Sequence, residues 1–265
     1  MAQSLIATNR TKQALSAGKC VVGTMLVELR QPSVMQLLAN AGFDFVLIDT
    51  EHGPFGIESI ADLSRAARQS GVTPIVRVPD ITYAHVTQPL DGGAQGIMMP
   101  RVTNAQQVCD VVQMMKYPPT GRRGSVLARG HTDFKGGSVS EMMADANKET
   151  MLVVQVETQQ AVENLDEILS VEGVDVALIG PNDLSIALGV PGKLDDPKLI
   201  AAVETMKKAC AHHKVFPAIH MNDLERGSYW AKNGMRMVSM NSETGYLVKA
   251  GSEAVSTLRN SFATK

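Results

Sequence analysis

The sequence predicts an α/β protein, a closed (β/α)8 barrel, and three observations lead there. From residue 20 onward, short apolar runs rich in β-branched residues alternate with helix-like segments. This is the pattern of repeated β/α units on a parallel sheet rather than of a sandwich or bundle. Eight such units can be counted along the chain. The 265 residues, 44% hydrophobic and 20% charged, also suit a barrel of about 250 residues with one large core. No Pro-, Gly- or Ser-rich linker divides the chain, so a single domain over residues 1–265 is expected.

Taken in order, the strands are expected over residues 20–27, 45–50, 73–78, 96–99, 151–156, 175–180, 216–220 and 236–240, each a run short enough for a strand buried on both faces. Helix punctuation between them agrees. Gly71 reads as the stop of a helix beginning near Glu58, because glycine enters the left-handed region without a Cβ penalty. Asp196 followed by Pro197 reads as an N-cap with proline at the first helical position, and Asn222 to Glu225 resembles a capping box. Residues 117–150 break the rhythm, being far longer than an ordinary connection. Tyr117 to Ser125 is rich in Pro, Gly and Arg and cannot continue a helix, whereas Val139 to Lys148 can form a short one. Residues 128–134 are expected to lie over the barrel mouth.

Charge and composition narrow the function. A net charge of -2 and a pI near 6.3, with scattered basic residues, give no field for nucleic acid or anionic lipid. Residues 1–10 are broken by polar side chains too early for a signal sequence, and no apolar run approaches the ~20 residues of a membrane span. A cytosolic protein with small-molecule partners is expected. Cys20, Cys109 and Cys210, odd in number and far apart, argue against a disulfide framework or thiolate metal site.

In a β/α barrel the chemistry sits at the carboxyl ends of the strands. Those positions are polar here: Glu28; Asp49, Glu51 and His52; Arg77; Arg101; Gln155 and Glu157; Asn182 and Asp183; His220; Asn241 and Glu243. Glu157 and Asp183, on successive strands, suit a hard divalent cation that keeps open positions for substrate, although either acid alone could instead cap the following helix. His52 can carry a proton near neutrality, with Asp49 holding its tautomer. Arg77, inside an apolar strand, needs an anionic partner, which would be a substrate carboxylate, a developing enolate or a neighbouring acid such as Asp49. His220, His131, Arg101 and Arg123 read as structural or peripheral, and His85, His212 and His213 as solvated helix residues. There is no Gly-x-Ser-x-Gly elbow, no phosphate-cradling Gly-Lys-Ser/Thr loop and no strand-end lysine for a Schiff base.

Four motifs carry a family resemblance: Asp-Thr-Glu-His-Gly-Pro at 49–54, Ile-Val-Arg-Val-Pro at 75–79, Gln-Val-Glu-Thr at 155–158 and Ile-Gly-Pro-Asn-Asp-Leu-Ser at 179–185. With residues 93–100 and the Tyr-Pro-Pro-x-Gly-Arg-Arg-Gly turn, the chain resembles the HpcH/HpaI aldolase family over nearly its whole length. That resemblance implies a barrel of the phosphoenolpyruvate/pyruvate-binding type and a class II pyruvate aldolase. It implies cleavage of a 4-hydroxy-2-oxo acid to pyruvate and an aldehyde through an enolate, in aromatic or sugar acid catabolism. Glu157 and Asp183 would then hold a divalent metal ion, Mg2+ or Mn2+ with Co2+ also admitted. Arg77 would stabilise the enolate, His52 with Asp49 would handle the proton, and Gln155, Gly180, Pro181 and Asn182 would hold the 2-oxo acid. The resemblance further implies a homo-oligomer, a hexamer built as a trimer of dimers, in which the loop bearing Asp49 reaches a neighbouring subunit's site. His220 and Glu243 depart from the family pattern. Oxaloacetate decarboxylation through the same enolate and a non-catalytic barrel that binds metal or keto acid are the alternatives.

Overall fold

The computed structural model describes residues 4–263; residues 1–3 of the amino-terminal stretch lie outside it. Eight parallel strands, β1 (Val21–Leu26), β2 (Phe45–Asp49), β3 (Thr73–Arg77), β4 (Gly96–Met99), β5 (Met151–Val156), β6 (Val176–Ile179), β7 (Phe216–Met221) and β8 (Met237–Ser242), pair in sequence order and close between β8 and β1. Each lies within two residues of its expected bounds. This is the (β/α)8 barrel.

The apolar runs divide by alternation, because successive side chains point to opposite faces of a strand. One set, including Phe45, Leu47, Ile75, Met98, Val153, Leu178 and Ala218, packs inside the barrel. The other, including Val46, Ile48, Val76, Ile97, Val154 and Ile179, packs outward beneath the helices. Both sets are buried, which is why the strands read as continuous apolar runs.

Helix ends follow local chemistry. The helix Ile57–Ser70 stops at Gly71, whose φ of 83° is left-handed. The helix Pro197–His213 starts from Asp196, whose carboxylate accepts from Lys198 N. The helix after β7 departs from expectation by one residue: it spans Leu224–Lys232, and its cap is Asp223, which accepts from Arg226 N at 2.8 Å.

The long segment between β4 and β5 lies at the other end of the barrel from the one expected. The helix Ala105–Met115 carries the chain from the mouth to the amino-terminal rim, and β5 begins from that same rim. The turn Gly130–Thr132 and the helix Val139–Glu149 inserted between them lie at that end, whereas Gly124 N reaches Tyr83 Oη at the start of the helix after β3. The short turn Gly130–Thr132 packs against the carboxyl-terminal ends of two neighbouring helices, with Arg68 Nη2 donating to Gly130 O at 2.6 Å. The helix Val139–Glu149 forms as expected, and Lys116 Nζ caps its last turn through the carbonyls of Asn147 and Thr150. Among the described residues no helix is long and apolar enough to cross a membrane.

Candidate active site

At the mouth the odd-numbered strands contribute one interior layer, formed by Met25, Arg77, Gln155 and His220, above an even-strand layer of Leu47, Met98, Leu178 and Ser239. This stacking of four side chains per layer is what fills a barrel. Above the floor opens a cavity of about 200 Å³ whose polar lining includes His52, Arg77, Gln155, Asn182, Asp183 and His220.

Arg77 is held before any ligand arrives. Its Nε donates to Asp49 Oδ1 at 2.8 Å and its Nη2 to Oδ2 at 2.6 Å, a two-pronged pair between residues opposite one another on β3 and β2. Nη1 lies 3.3 Å from Glu51, which also meets Arg101 Nη2 at 3.2 Å. Burial alone would raise the Asp49 carboxyl, but the hydrogen bond and charge of Arg77 outweigh it and hold the group below its ordinary value. The neighbouring acid is thus Arg77's partner within the chain.

That pairing corrects the expected part of Asp49. Both its oxygens face Arg77, and Oδ1 also accepts from the backbone N–H groups of Glu51 and His52, so it does not orient the imidazole. Asp49 is 2% exposed within its own chain. The His52 side chain is exposed at the cavity and makes no hydrogen bond with described residues.

Glu157 leaves β5 beside Gly180. Its Oε1 accepts from Arg101 N at 2.7 Å, and its Oε2 from Gln155 Nε2. Arg101 takes a φ of 50° to offer that N–H. A Cβ on Gly180 would sit 2.8 Å from Gln155 Nε2 and 2.9 Å from Glu157 Oε2, so a residue without a side chain is what lets β6 close on them. Burial pushes the Glu157 carboxyl up to about 7; the Arg101 N–H opposes this, and the negative fields of Asp183 and Glu51 add to it. Asp183, in the first turn of the helix Pro181–Ala187, is exposed to the same cavity. Neither acid is the N-cap of the next helix: Thr158 caps one, and Gly180 stands at the cap of the other.

The residues present fit a divalent cation. Four carboxylates, Asp49, Glu51, Glu157 and Asp183, face two guanidiniums, Arg77 and Arg101, leaving a net negative site. The Gln155 Oε1 is buried without a partner, an oxygen donor next to a carboxylate whose proton a cation would displace. No group of three or more His, Cys, Asp or Glu among the described residues is arranged around a metal position, so any ion here would draw its remaining ligands from waters or substrate.

Two residues near the cavity were underrated from sequence. Glu51 links the two arginines, a link visible only once β2 and β3 are paired. His220 enters the floor, with Nδ1 2.9 Å from Ser239 Oγ and Nε2 3.2 Å from Asn222 Oδ1. Glu243 serves the scaffold instead, since its carboxylate accepts from the backbone N–H groups of Val27, Glu28 and Leu29 and fixes the loop after β1. His131 and Arg123 are buried at the amino rim, away from the mouth. His85 and His213 pair with Asp80 and Asp166 on the surface.

The model of the HpcH/HpaI aldolase/citrate lyase family matches residues 24–250. The chain belongs to this family. Among relatives, the hydroxypyruvate/pyruvate aldolase of Agrobacterium fabrum is 39% identical over 196 residues, covering 74% of this chain and 73% of that one. The 4-hydroxy-2-oxo-heptane-1,7-dioate aldolase of Escherichia coli is 33% identical over 244 residues, covering 91% and 92%. The crystal structure of an HpcH/HpaI aldolase from Desulfitobacterium hafniense superposes with a TM-score of 0.90 at 34% identity, covering 94% of this chain and 96% of that one. This HpcH/HpaI member is an enzyme of the aldolase and lyase kind.

Proposed function

We propose that the chain is a divalent-cation-dependent aldolase that reversibly cleaves a 4-hydroxy-2-oxo acid to pyruvate and an aldehyde. The observation that carries this reading is the excess of carboxylates beside an open, buried Gln155 oxygen in one cavity. Glu157 and Asp183 would hold the ion, Mg2+ or Mn2+ with Co2+ a further candidate, while Gln155 and Gly180 to Asn182 would position the 2-oxo acid. When bound, the ion supplies Lewis acidity at the 2-oxo group.

The remaining work falls to the chain's own side chains. His52, which makes no side-chain hydrogen bond with the described residues, takes the proton of the C4 hydroxyl directly or through a water. As the C3–C4 bond breaks, C4 leaves as the aldehyde and the electron pair moves onto C3 and the 2-oxo oxygen as an enolate. Arg77 stabilises that charge, and its fork is preset by Asp49 and Glu51, so little reorganisation accompanies the reaction. Asp49 thereby acts through Arg77. The proton held by His52 is then returned to C3, directly or through a water, which completes pyruvate and frees the base.

A homo-oligomer, a hexamer assembled from dimers, belongs to the same reading. It is supported by the helix Glu243–Ala263, whose Val248, Val255, Leu258 and Phe262 are exposed at spacings of seven, three and four residues. A cytoplasmic location is part of it as well. The decisive measurement is exchange of pyruvate methyl protons in deuterated water with Mg2+ or Mn2+. Exchange that His52→Ala abolishes, together with adducts from a panel of aldehydes, is expected. Absence of both in the metal-supplied protein would overturn the proposal.

A further inference from the structure

His220 is a polar side chain lining the cavity floor to which the aldol cleavage gives no role. It lies on β7, across the barrel from Arg77 on β3. Burial pushes its imidazole down to about 4, so at neutral pH the ring is uncharged and carries a single N–H. Asn222 presents a carbonyl oxygen to Nε2, which puts the proton on Nε2 and leaves Nδ1 to accept from the Ser239 hydroxyl. The two supports differ. Ser239 is fully buried and fixes the ring from below, whereas Asn222 is exposed at the rim. A substrate oxygen can take the place of Asn222 without disturbing the core.

We propose that His220 determines specificity for the aldehyde half of the substrate: its Nε2–H donates to a neutral hydroxyl oxygen next to the aldehyde carbon, selecting hydroxyaldehydes over plain alkyl aldehydes. This rests on the aldolase reading. The other floor residues that take no part in the cleavage, Met25, Leu47, Met98 and Leu178, are apolar and offer such an oxygen nothing. An uncharged ring adds no attraction for a second carboxylate, so a hydroxyl suits it better than an anion. A ligand that covers His220 but lacks the oxygen strands a buried donor, and sites built to hydrogen-bond a hydroxyl discriminate strongly against analogues without one.

Pyruvate offered with glycolaldehyde or with acetaldehyde, which differ by one hydroxyl, tests this through the ratio of their kcat/KM values. The wild type is expected to favour glycolaldehyde by roughly tenfold or more. His220→Leu should reduce that ratio by about tenfold. His220→Gln, which keeps an N–H, should retain more of it, and Asn222→Ala, which removes the competing acceptor, should raise it. A ratio that stays within about twofold of wild type in both His220→Leu and Asn222→Ala overturns the assignment. Should His220→Leu fail to fold, the rim variant Asn222→Ala decides alone. Exchange of pyruvate methyl protons separates the two levels. Exchange without preference between the aldehydes sinks this assignment only, and neither exchange nor adducts sinks the aldolase reading with it.

Discussion

At the amino rim of the barrel, Lys116 donates to the Asn147 carbonyl at 2.6 Å and to the Thr150 carbonyl and hydroxyl at 2.9 and 2.8 Å, so all three of its protons have acceptors. At the carboxyl rim, Gln155 Oε1 has no partner and Glu157 sits among like charges. Both ends bury ionisable side chains. The amino end uses them to lock an inserted helix in place, and the carboxyl end keeps them short of cations. Unpaired buried atoms occur at both ends, since Arg123 Nε and His131 Nε2 at the amino rim also lack partners; what marks the carboxyl end as a site is the excess of carboxylates over cations.

The sharpest way to break this contrast is to remove the acids. Glu157→Ala or Asp183→Ala should lower turnover by about a thousandfold, and Asp183→Ala, at an exposed residue, should leave the melting curve near wild type. Activity that survives either substitution after exhaustive chelation returns both acids to the scaffold. Arg77→Lys comes next, with a loss of about a hundredfold, because an ammonium cannot span Asp49 and Glu51 as the planar fork does. Near-normal kcat in that variant would make the ion pair a packing device. At the other rim, Lys116→Met should cost about 2 kcal/mol in urea denaturation with kcat unchanged, since it removes the donor to the Asn147 carbonyl and the Thr150 hydroxyl while Lys12 still donates to the Thr150 carbonyl. An equal loss of turnover per folded molecule would deny the separation of the two ends.

pH sharpens the comparison further. Glu157 is raised in the folded state from 4.5 to about 7, so between those values the folded chain holds the extra proton. Stability of the metal-free protein is then fully supported below pH 4.5 and declines as pH rises through 7, by roughly 3 kcal/mol in all. Glu157→Gln should flatten that slope in denaturation measured at pH 5, 6 and 7.5, and an unchanged slope would assign it elsewhere. The smallest effect belongs to the surface pair of His213 and Asp166: His213→Ala should shift stability by no more than about 0.5 kcal/mol.

The barrel was legible because its strands are buried on both faces, so each appears in the sequence as an unbroken apolar run, and because Gly71 and Asp196 punctuate helices by local chemistry. The candidate acids were legible because strand ends converge on one rim. What could not be read were choices made across strands. From sequence Asp49 is a support for His52 or a partner for Arg77, and only the pairing of β2 with β3 decides for Arg77. Residues 128–134 looked like a mouth cover because their segment is too long for an ordinary connection, and the direction of the preceding helix sends them to the opposite end. His220 gave no local signal, because its two supports come from β8 and from the loop after β7.

The grip on Glu157 Oε1 comes from the main chain of Arg101, not from its guanidinium. An exchange of the Arg101 side chain therefore retunes the electrostatics at the doorway, through Glu51, without unhooking the acid beneath it. The scaffold separates two properties: the charge presented at position 101 can drift while the hold on Glu157 does not.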